Sequence, residues 1–265
     1  MFADILKDRC ALITGSAQGG LGHALAEAFA AAGANIVLNG LCEASEGEAA
    51  AAALAEKHGV AAVFDPADLR HEAEIGRMIG AASERFGAVD ILVNNAVVRH
   101  FSPIEDFSPG NWEASVTVNL NAAFHAVRHA LPGMKKRGWG RIINLSSYYG
   151  WRGAENRIDY VTTKTALIGM TRAIAVETGP SGVTCNAICP GSVPTPAIMK
   201  RIEGLARDKG ESVEALSRDY ASARSATGRF VEMEHVGALA VFLCTPPAAD
   251  ITGTVLPIDG GWLAK

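Results

Sequence analysis

Residues 10–32 read Cys10-Ala11-Leu12-Ile13-Thr14-Gly15-Ser16-Ala17-Gln18-Gly19-Gly20-Leu21-Gly22-His23-Ala24-Leu25-Ala26-Glu27-Ala28-Phe29-Ala30-Ala31-Ala32. A short apolar run, Cys10–Thr14, ends in a turn with four glycines. An alanine-rich helical stretch, Leu21–Ala32, comes next. The remaining chain repeats this strand–turn–helix rhythm. Further strand-like runs fall at 35–38, 61–64, 91–94, 141–146, 184–189 and 254–258. Several are almost wholly apolar, as strands of a parallel sheet covered on both faces are. Helical stretches lie between them, near 43–58, 70–86, 111–136, 157–178 and 234–243. Seven strands alternating with six helices predict an α/β fold: one doubly wound, seven-stranded parallel sheet with right-handed crossovers and helices on both faces. The chain reads as a single domain over 1–265, without linker or repeat.

One segment departs from the rhythm. Residues 194–230 are charged and helical in composition and have no strand partner, with prolines at 190, 194 and 196 stiffening the entry. They read either as a helical lid over a site or as an ordinary surface helix pair.

Composition narrows the classes of function. Of 265 residues, 49% are apolar, enough for one large core. The net charge is −4 and no basic block occurs, so nucleic acid is not an expected partner. No apolar run reaches the roughly 18 residues of a membrane span. Residues 1–10 carry Asp4, Lys7, Asp8 and Arg9 and lack the apolar stretch of a signal peptide, so a cytoplasmic location is expected. The five cysteines are scattered. Cys185 and Cys189 share a strand, which puts them about 13 Å apart and beyond disulfide reach. No cysteine–histidine group has metal-site spacing, and no metal is expected.

In an open α/β sheet ligands bind beyond the carboxyl ends of the strands. Gly15, Gly19, Gly20 and Gly22 would let backbone approach a pyrophosphate, and the helix from Leu21 would aim its amides and dipole at that charge. A glycine-rich turn also serves as a plain connection, so the turn alone does not decide. Tyr160 and Lys164 stand four apart, on one face of a helix, thirteen residues after Ser147. An ammonium beside a phenol favours the phenolate, which suits a general acid/base near neutral pH. Together, the turn and this pair suggest hydride transfer between an alcohol and a nicotinamide.

As a set these residues resemble the short-chain dehydrogenase/reductase family over nearly the whole chain. The resemblance includes Asn94-Asn95-Ala96, Asn119 in Val118-Asn119-Leu120, Ser147, Tyr160, Lys164, Pro190-Gly191 with Thr195, and Asp259-Gly260-Gly261. It implies a Rossmann-type fold, a nicotinamide cofactor and a homotetramer. It also implies that Tyr160 exchanges the proton, Lys164 assists it and bonds the nicotinamide ribose, Ser147 holds the substrate oxygen, and Asn119 positions a water. Cofactor contacts are expected from Gly15, Gly19, Gly20, Leu21, Gly22, Leu41, Asp68, Leu69, Asn95, Ala96, Tyr160, Lys164, Pro190, Gly191, Val193 and Thr195. Asp68 reads equally as a helix N-cap. Two departures stand out. The turn holds one residue more than the family's, and Val97 replaces the glycine of Asn-Asn-Ala-Gly, where a β-branched residue resists positive φ. The second strand ends Asn39-Gly40-Leu41-Cys42-Glu43, without a cation for a 2′-phosphate and with an acid that would repel one. NAD is therefore expected over NADP.

Within the family the chain is most similar to bacterial D-3-hydroxybutyrate dehydrogenases, through stretches such as Arg137-Gly138-Trp139-Gly140-Arg141-Ile142-Ile143-Asn144 and Gly182–Gly191. The positions that hold the carboxylate there differ here: Arg99 replaces Gln, Tyr149 His, Arg157 Lys, Ser192 Trp and Met199 Gln. The resemblance therefore implies a different small anionic hydroxy or keto compound. Arg99, Arg152 and Arg157 are candidate anion receptors, guanidinium forks being suited to carboxylate or sulfonate, and each is alternatively a surface ion pair. Arg157 would oppose the helix dipole, a cost that asks for an anionic ligand or a bridge to Glu155. Tyr148, Tyr149 and Trp151 would wall the pocket or pack under its loop. His100, His125 and His129 lack an acid at useful spacing and read as packing or surface residues. Other readings are a sugar or polyol dehydrogenase, an NADPH-dependent 3-oxoacyl reductase, and, remotely, a non-catalytic nucleotide sensor.

Overall fold

The computed structural model describes residues 4–264; of the N-terminal stretch read for a leader, residues 1–3 lie outside the described residues. Seven strands, β1 (Cys10–Ile13), β2 (Asn35–Asn39), β3 (Ala62–Asp65), β4 (Ile91–Asn94), β5 (Gly140–Leu145), β6 (Val183–Pro190) and β7 (Val255–Ile258), form one parallel sheet. Their order is β3-β2-β1-β4-β5-β6-β7. The order reverses between β1 and β4, and the crevice beyond these two strand ends is the switch point at which such sheets bind ligands.

Side-chain alternation along the strands builds two cores. Ala11 and Ile13 of β1 face the helices α1 (Gly20–Ala31), α2 (Ala44–His58) and α9 (Met233–Phe242), where Leu25, Phe29, Leu54 and Val236 are fully buried. Cys10 and Leu12 face α3 (Glu72–Phe86), α5 (Ala122–Arg137) and α6 (Ile158–Thr178), against Ile75, Met78 and Ala126. Each large apolar side chain so buried contributes about 1.5–3 kcal/mol before entropy is counted. All five cysteines are free. Among the described residues no helix is long and apolar enough to cross a membrane, and no His/Cys/Asp/Glu group is arranged to hold a metal ion.

One element differs from the sequence expectation. The helix expected over 111–136 begins as α4 (Pro109–Val116) and passes through a π turn, Thr117–Asn121, before continuing as α5. A π turn fits an extra residue into the ladder and re-aims the helix beyond it. Apolar periodicity does not register it. The segment 194–230 folds as two helices packed on each other, α7 (Pro196–Lys209) and α8 (Val213–Ser222). The loop after α8 is tied down by Ala226 N and Thr227 N, which donate to Gly260 O at 2.8 and 3.1 Å.

Candidate active site

The turn after β1 is built around backbone that only glycine accommodates. Gly15, Gly19 and Gly20 have φ of 63°, 46° and 69°. A Cβ on Gly22 would overlap Gly15 O, and one on Gly15 would come within 2.9 Å of Ala96 Cα. Gly19 is the N-cap residue, and α1 starts at Gly20. Asn95 fastens the turn to the end of β4: its Nδ2 donates to Thr14 O and Gly15 O, both at 2.9 Å. Thr14 Oγ1 accepts from Asn95 N and Ala96 N at 2.9 and 3.1 Å. Buried Asn39 at the end of β2 does the same from the other side. Its carbonyl accepts from Ser16 N at 2.7 Å, and its Nδ2 donates to Ala67 O at 2.9 Å. These bonds leave α1's N-terminus open at the switch point, a cradle that a pyrophosphate fits. Gly20 also faces Pro196 Cδ, so the entry to α7 roofs the cradle. Gly191 N bonds Ile258 O, Val193 is buried, and Thr195 Oγ1 caps α7 by accepting from Ile198 N.

Leu41 is 64% exposed beyond β2. Leu69 is packed into the core beside α3. Asp68 caps no helix: the N-cap of α3 is His71, while Asp68 Oδ1 accepts from Arg70 N at 2.9 Å and its carboxylate pairs with the Arg70 guanidinium. Hydrogen bonds from Arg70 hold that carboxyl below its ordinary value. Arg77 is likewise bound to Asp65 at 2.7 Å. Val97 is not among the residues with positive φ, so valine in the glycine's place meets no backbone strain.

The proton-handling group sits where β5 ends against α6. Ser146 Oγ donates to Lys164 O at 2.7 Å, and Lys164 Nζ donates to Leu145 O at 2.5 Å. Lys164 is 3% exposed. Burial, with the charge of Arg99 adding to it, lowers its ammonium from 10.5 to about 7, against a smaller opposing influence of Cys189. Nζ lies 5.6 Å from the Tyr160 ring centroid. Ser147, the next residue after Ser146, is buried and its Oγ accepts from Tyr149 N at 3.2 Å. Tyr149 in turn meets Tyr160 edge-on at 6.2 Å. Asn119, held in the π turn, ties itself to the strand-β4 loop: Oδ1 accepts from Val98 N at 2.8 Å and Nδ2 donates to Val98 O at 2.9 Å. Ser147, Tyr160, Lys164 and Asn119 thus gather at the carboxyl ends of β4 and β5.

Around Tyr160 the charge is positive. Arg157 occupies the N-cap position of α6, 8% exposed, with its guanidinium carbon 4.5 Å from the Tyr160 ring and 4.1 Å from the Phe101 ring. Its Nε has no hydrogen-bond partner, and it makes no salt bridge, to Glu155 or otherwise, among the described residues. Burial lowers its pKa. Arg99 is exposed, 5.9 Å from the Tyr160 ring. Arg152 lies on the exposed loop before α6, Ser192 is buried below the entry to α7 with its carbonyl accepting from Val231 N at 2.8 Å, and Met199 is half-buried on α7. Tyr148 packs against Trp262 with ring centroids 3.9 Å apart and the planes tilted by 39°, while Trp151 is exposed.

Three features escaped the sequence reading. Phe101 and Arg201 come together, 5.8 Å from guanidinium carbon to ring. His100 does have an acid: its Nδ1 lies 3.2 Å from Asp159 Oδ2, across 59 positions of chain. Asp159 is wholly buried beside Tyr160 and accepts from Ser115 Oγ (2.7 Å), His100 N (3.1 Å) and Tyr160 N (2.6 Å). Burial raises its pKa, but these bonds outweigh it and hold the carboxyl low. His125 and His129 also approach an acid, Glu72, at 3.7 Å on the surface between α3 and α5.

A Rossmann-type sheet, a pyrophosphate cradle at its switch point and a tyrosine–lysine pair beside a serine define a nucleotide-dependent oxidoreductase. The chain belongs to the short-chain dehydrogenase/reductase family, and it acts on CH–OH groups or the corresponding ketones. Residues 15–263 match the family model described as enoyl-(acyl carrier protein) reductase. The D-beta-hydroxybutyrate dehydrogenase of Cupriavidus necator is 43% identical over 262 residues, covering 98% of this chain and 100% of that protein. Its namesake from Rhizobium meliloti is 41% identical, over 97% of this chain and 99% of the relative. A 3-oxoacyl-[acyl-carrier-protein] reductase of Aquifex aeolicus is 33% identical, over 97% of this chain and 98% of its own. Among solved structures, L-sorbose reductase of Gluconobacter frateurii, complexed with NADPH and L-sorbose, superposes with a TM-score of 0.94 at 30% identity, covering 99% of each chain.

Proposed function

We propose that this enzyme is an NAD-dependent dehydrogenase of a small hydroxy-compound bearing an acidic group. Arg157 carries the reading: a buried guanidinium packed on Tyr160 that makes no salt bridge among the described residues, with Asp159 the one carboxylate acting on its charge. A buried charge left unpaired is costly, and a ligand anion beside the reacting carbon removes that cost. Arg99, 5.9 Å from the same ring, adds to the field.

The cradle of Gly15, Gly19, Gly20 and Gly22 fits a dinucleotide, with Asn95, Ala96, Pro190, Gly191, Val193 and Thr195 beside it. Arg70 and Arg77, after β3, are already bound to Asp68 and Asp65, and Glu43 and Glu46 lie beyond β2. This arrangement favours NAD over NADP. When bound, the nicotinamide supplies or accepts the hydride. Tyr160 exchanges the proton at the substrate oxygen, Ser147 donates to that oxygen as charge develops on it, and the Lys164 ammonium favours the negative phenol oxygen. Asn119 keeps the loop after β4 in register with α6. The five free cysteines suit the reducing cytoplasm, and one domain carries both sites, assembled as the homotetramer expected of the family.

Absorbance of NADH during incubation with NAD and a panel of hydroxy acids and matched neutral alcohols tests the proposal. Turnover of the acids with higher kcat/KM supports it. Turnover of neutral sugars or polyols alone refutes the anionic substrate, as preference for NADPH refutes the cofactor assignment.

A further inference from the structure

The segment after β4, residues 95–103, belongs to neither helix nor strand, so no ladder of backbone bonds fixes its course. Exposure alternates along it: Val98, His100 and Ser102 are half-buried, while Arg99 and Phe101 between them are exposed. A period of two is that of extended chain, whose successive residues face opposite sides. The half-buried set is tied down at each position. Val98 is bracketed by the Asn119 amide, His100 meets Asp159, and Ser102 N donates to Asn156 O at 3.3 Å. The exposed pair meets the reaction centre, Arg99 at 5.9 Å from the Tyr160 ring and Phe101 against Arg157.

His100 is the middle fastener and is held through both backbone and side chain. Its N donates to Asp159 Oδ2 at 3.1 Å, and its Nδ1 lies 3.2 Å from that oxygen and 3.1 Å from Ser115 Oγ. Against the effect of burial, hydrogen bonds keep the Asp159 carboxyl low, so it is ionised and only accepts. Nδ1 therefore carries the imidazole proton, which fixes the tautomer and direction of the ring. Phe107 meets the ring edge-on, with centroids 6.2 Å apart. The other oxygen of Asp159 accepts from Tyr160 N at 2.6 Å. One carboxylate thus joins the segment of Arg99 to the first turn of the catalytic helix. We propose that His100 is a positioning residue for the reaction: bound to Asp159, it holds the backbone of Arg99 in register with Tyr160 and so places that guanidinium in the field of the reacting group. It acts through Arg99 and touches no reacting atom. The charge of Arg99 also reaches Lys164, so this one fastener sets the surroundings of both proton-handling side chains. It rests on the roles of Tyr160 and Lys164 and not on an anionic substrate.

Steady-state oxidation by the full chain tests this, with NAD and whichever hydroxy acid or neutral alcohol of the panel above is turned over fastest. A misplacement of about 1 Å costs on the order of 100-fold in rate. His100→Ala is therefore expected to lower kcat/KM at least ten-fold, while NADH binding, read by fluorescence, changes less than two-fold. His100→Asn, whose amide can donate to Asp159 where Nδ1 does, should stay within three-fold of the wild type. Added to Arg99→Gln, His100→Ala should cost less than a further two-fold, because the group it positions is already gone. Should His100→Ala fail to fold, His100→Gln, with its donor displaced by one bond, takes its place under the same expectations. A fall in Tm with kcat/KM unchanged would overturn the proposal and leave His100 a structural fastener. Losses that multiply in the double variant, or no rescue by Asn, would equally overturn it. A wild type that oxidises none of the alcohols would overturn the dehydrogenase roles of Tyr160 and Lys164, and this proposal with them.

Discussion

Lys164 Nζ donates to Leu145 O at 2.5 Å from a site closed to solvent, so the ammonium is held by the last residue of β5. The same strand end holds the helix backbone through Ser146 Oγ, and Ser147 comes directly after it. Strand and helix thereby fix the lysine, the serine and the tyrosine four residues earlier as one unit. Burial and Arg99 bring this lysine to about 7, which makes its protonation a variable within the working range of an enzyme. Below that pH it is charged and above it neutral. The profile of kcat/KM for NAD is expected to show an ionisation near pH 7 in the wild type. Arg99→Gln removes a positive neighbour, so the lysine holds its proton more firmly and the midpoint moves to higher pH. A midpoint that stays put would show that Arg99 does not act on Lys164. Stability carries the same sign. Between about 7 and 10.5 the unfolded chain keeps a proton that the folded chain gives up, so this group makes stability rise with pH across that window.

Tyr160→Phe removes the proton donor and acceptor without emptying the space of the ring. Loss of kcat by about two to four orders of magnitude is expected, the usual size of a general acid/base contribution. NADH binding, monitored by its fluorescence, should stay within a factor of a few. Retained kcat would refute the assigned role.

Gly22→Ala tests the nucleotide cradle. Its new methyl would overlap Gly15 O and crowd Asn95 Nδ2, the atom that fastens the turn to β4. Overpacking of this kind costs about 1–3 kcal/mol. A fall in Tm of several degrees is expected together with weakened NADH binding. Gly204→Ala, inside α7 where nothing lies within 4 Å of the added carbon, serves as the control: it should leave NADH binding unchanged and Tm unchanged or slightly higher, alanine being the better helix former.

The fold was legible because its signals are local. β1, the glycine turn and α1 announce themselves within 23 residues, and all seven strands fall at the expected places, with shifts of one residue at several ends. The tyrosine and lysine share a helix face, so spacing found them. What was missed is long-range. His100 reads as an unpaired histidine until Asp159, 59 positions on, is brought beside it. Arg201 and Phe101 meet only because α7 is folded back near the loop after β4. The π turn escaped because it inserts one residue into an otherwise regular helical pattern. Asp68 read equally as a cap, and only the folded chain shows its side chain turned to Arg70.

The buried carboxylate of Asp159 accepts bonds from two segments that carry the pocket, the loop of Arg99 and Phe101 and the helix of Arg157 and Tyr160. Asp159→Ala leaves Ser115 Oγ and His100 N without their acceptor, at about 1–3 kcal/mol for each buried polar group. A lower Tm and a higher KM for the hydroxy acid are expected. Asp159→Asn, which keeps an oxygen acceptor, should recover most of the Tm. If KM stays unchanged while Tm falls, Asp159 serves stability alone and does not position the pocket.

Arg157 distinguishes an anion receptor from a packed surface residue. Its loss as a ligand donor should remove a charge-assisted bond of about 1.5–3 kcal/mol, which corresponds to a KM roughly 10- to 150-fold higher for an acidic substrate. Arg157→Gln is expected to show that rise with acids and only a small change with a neutral alcohol of the same carbon skeleton. Arg157→Lys keeps the charge but not the planar fork and should fall between wild type and Gln. Because the guanidinium also packs on Phe101 and Tyr160, circular dichroism and Tm of both variants separate misfolding from lost recognition. An equal rise in KM for acidic and neutral alcohols, in variants that remain folded, would make Arg157 a wall of the pocket and not its anion receptor.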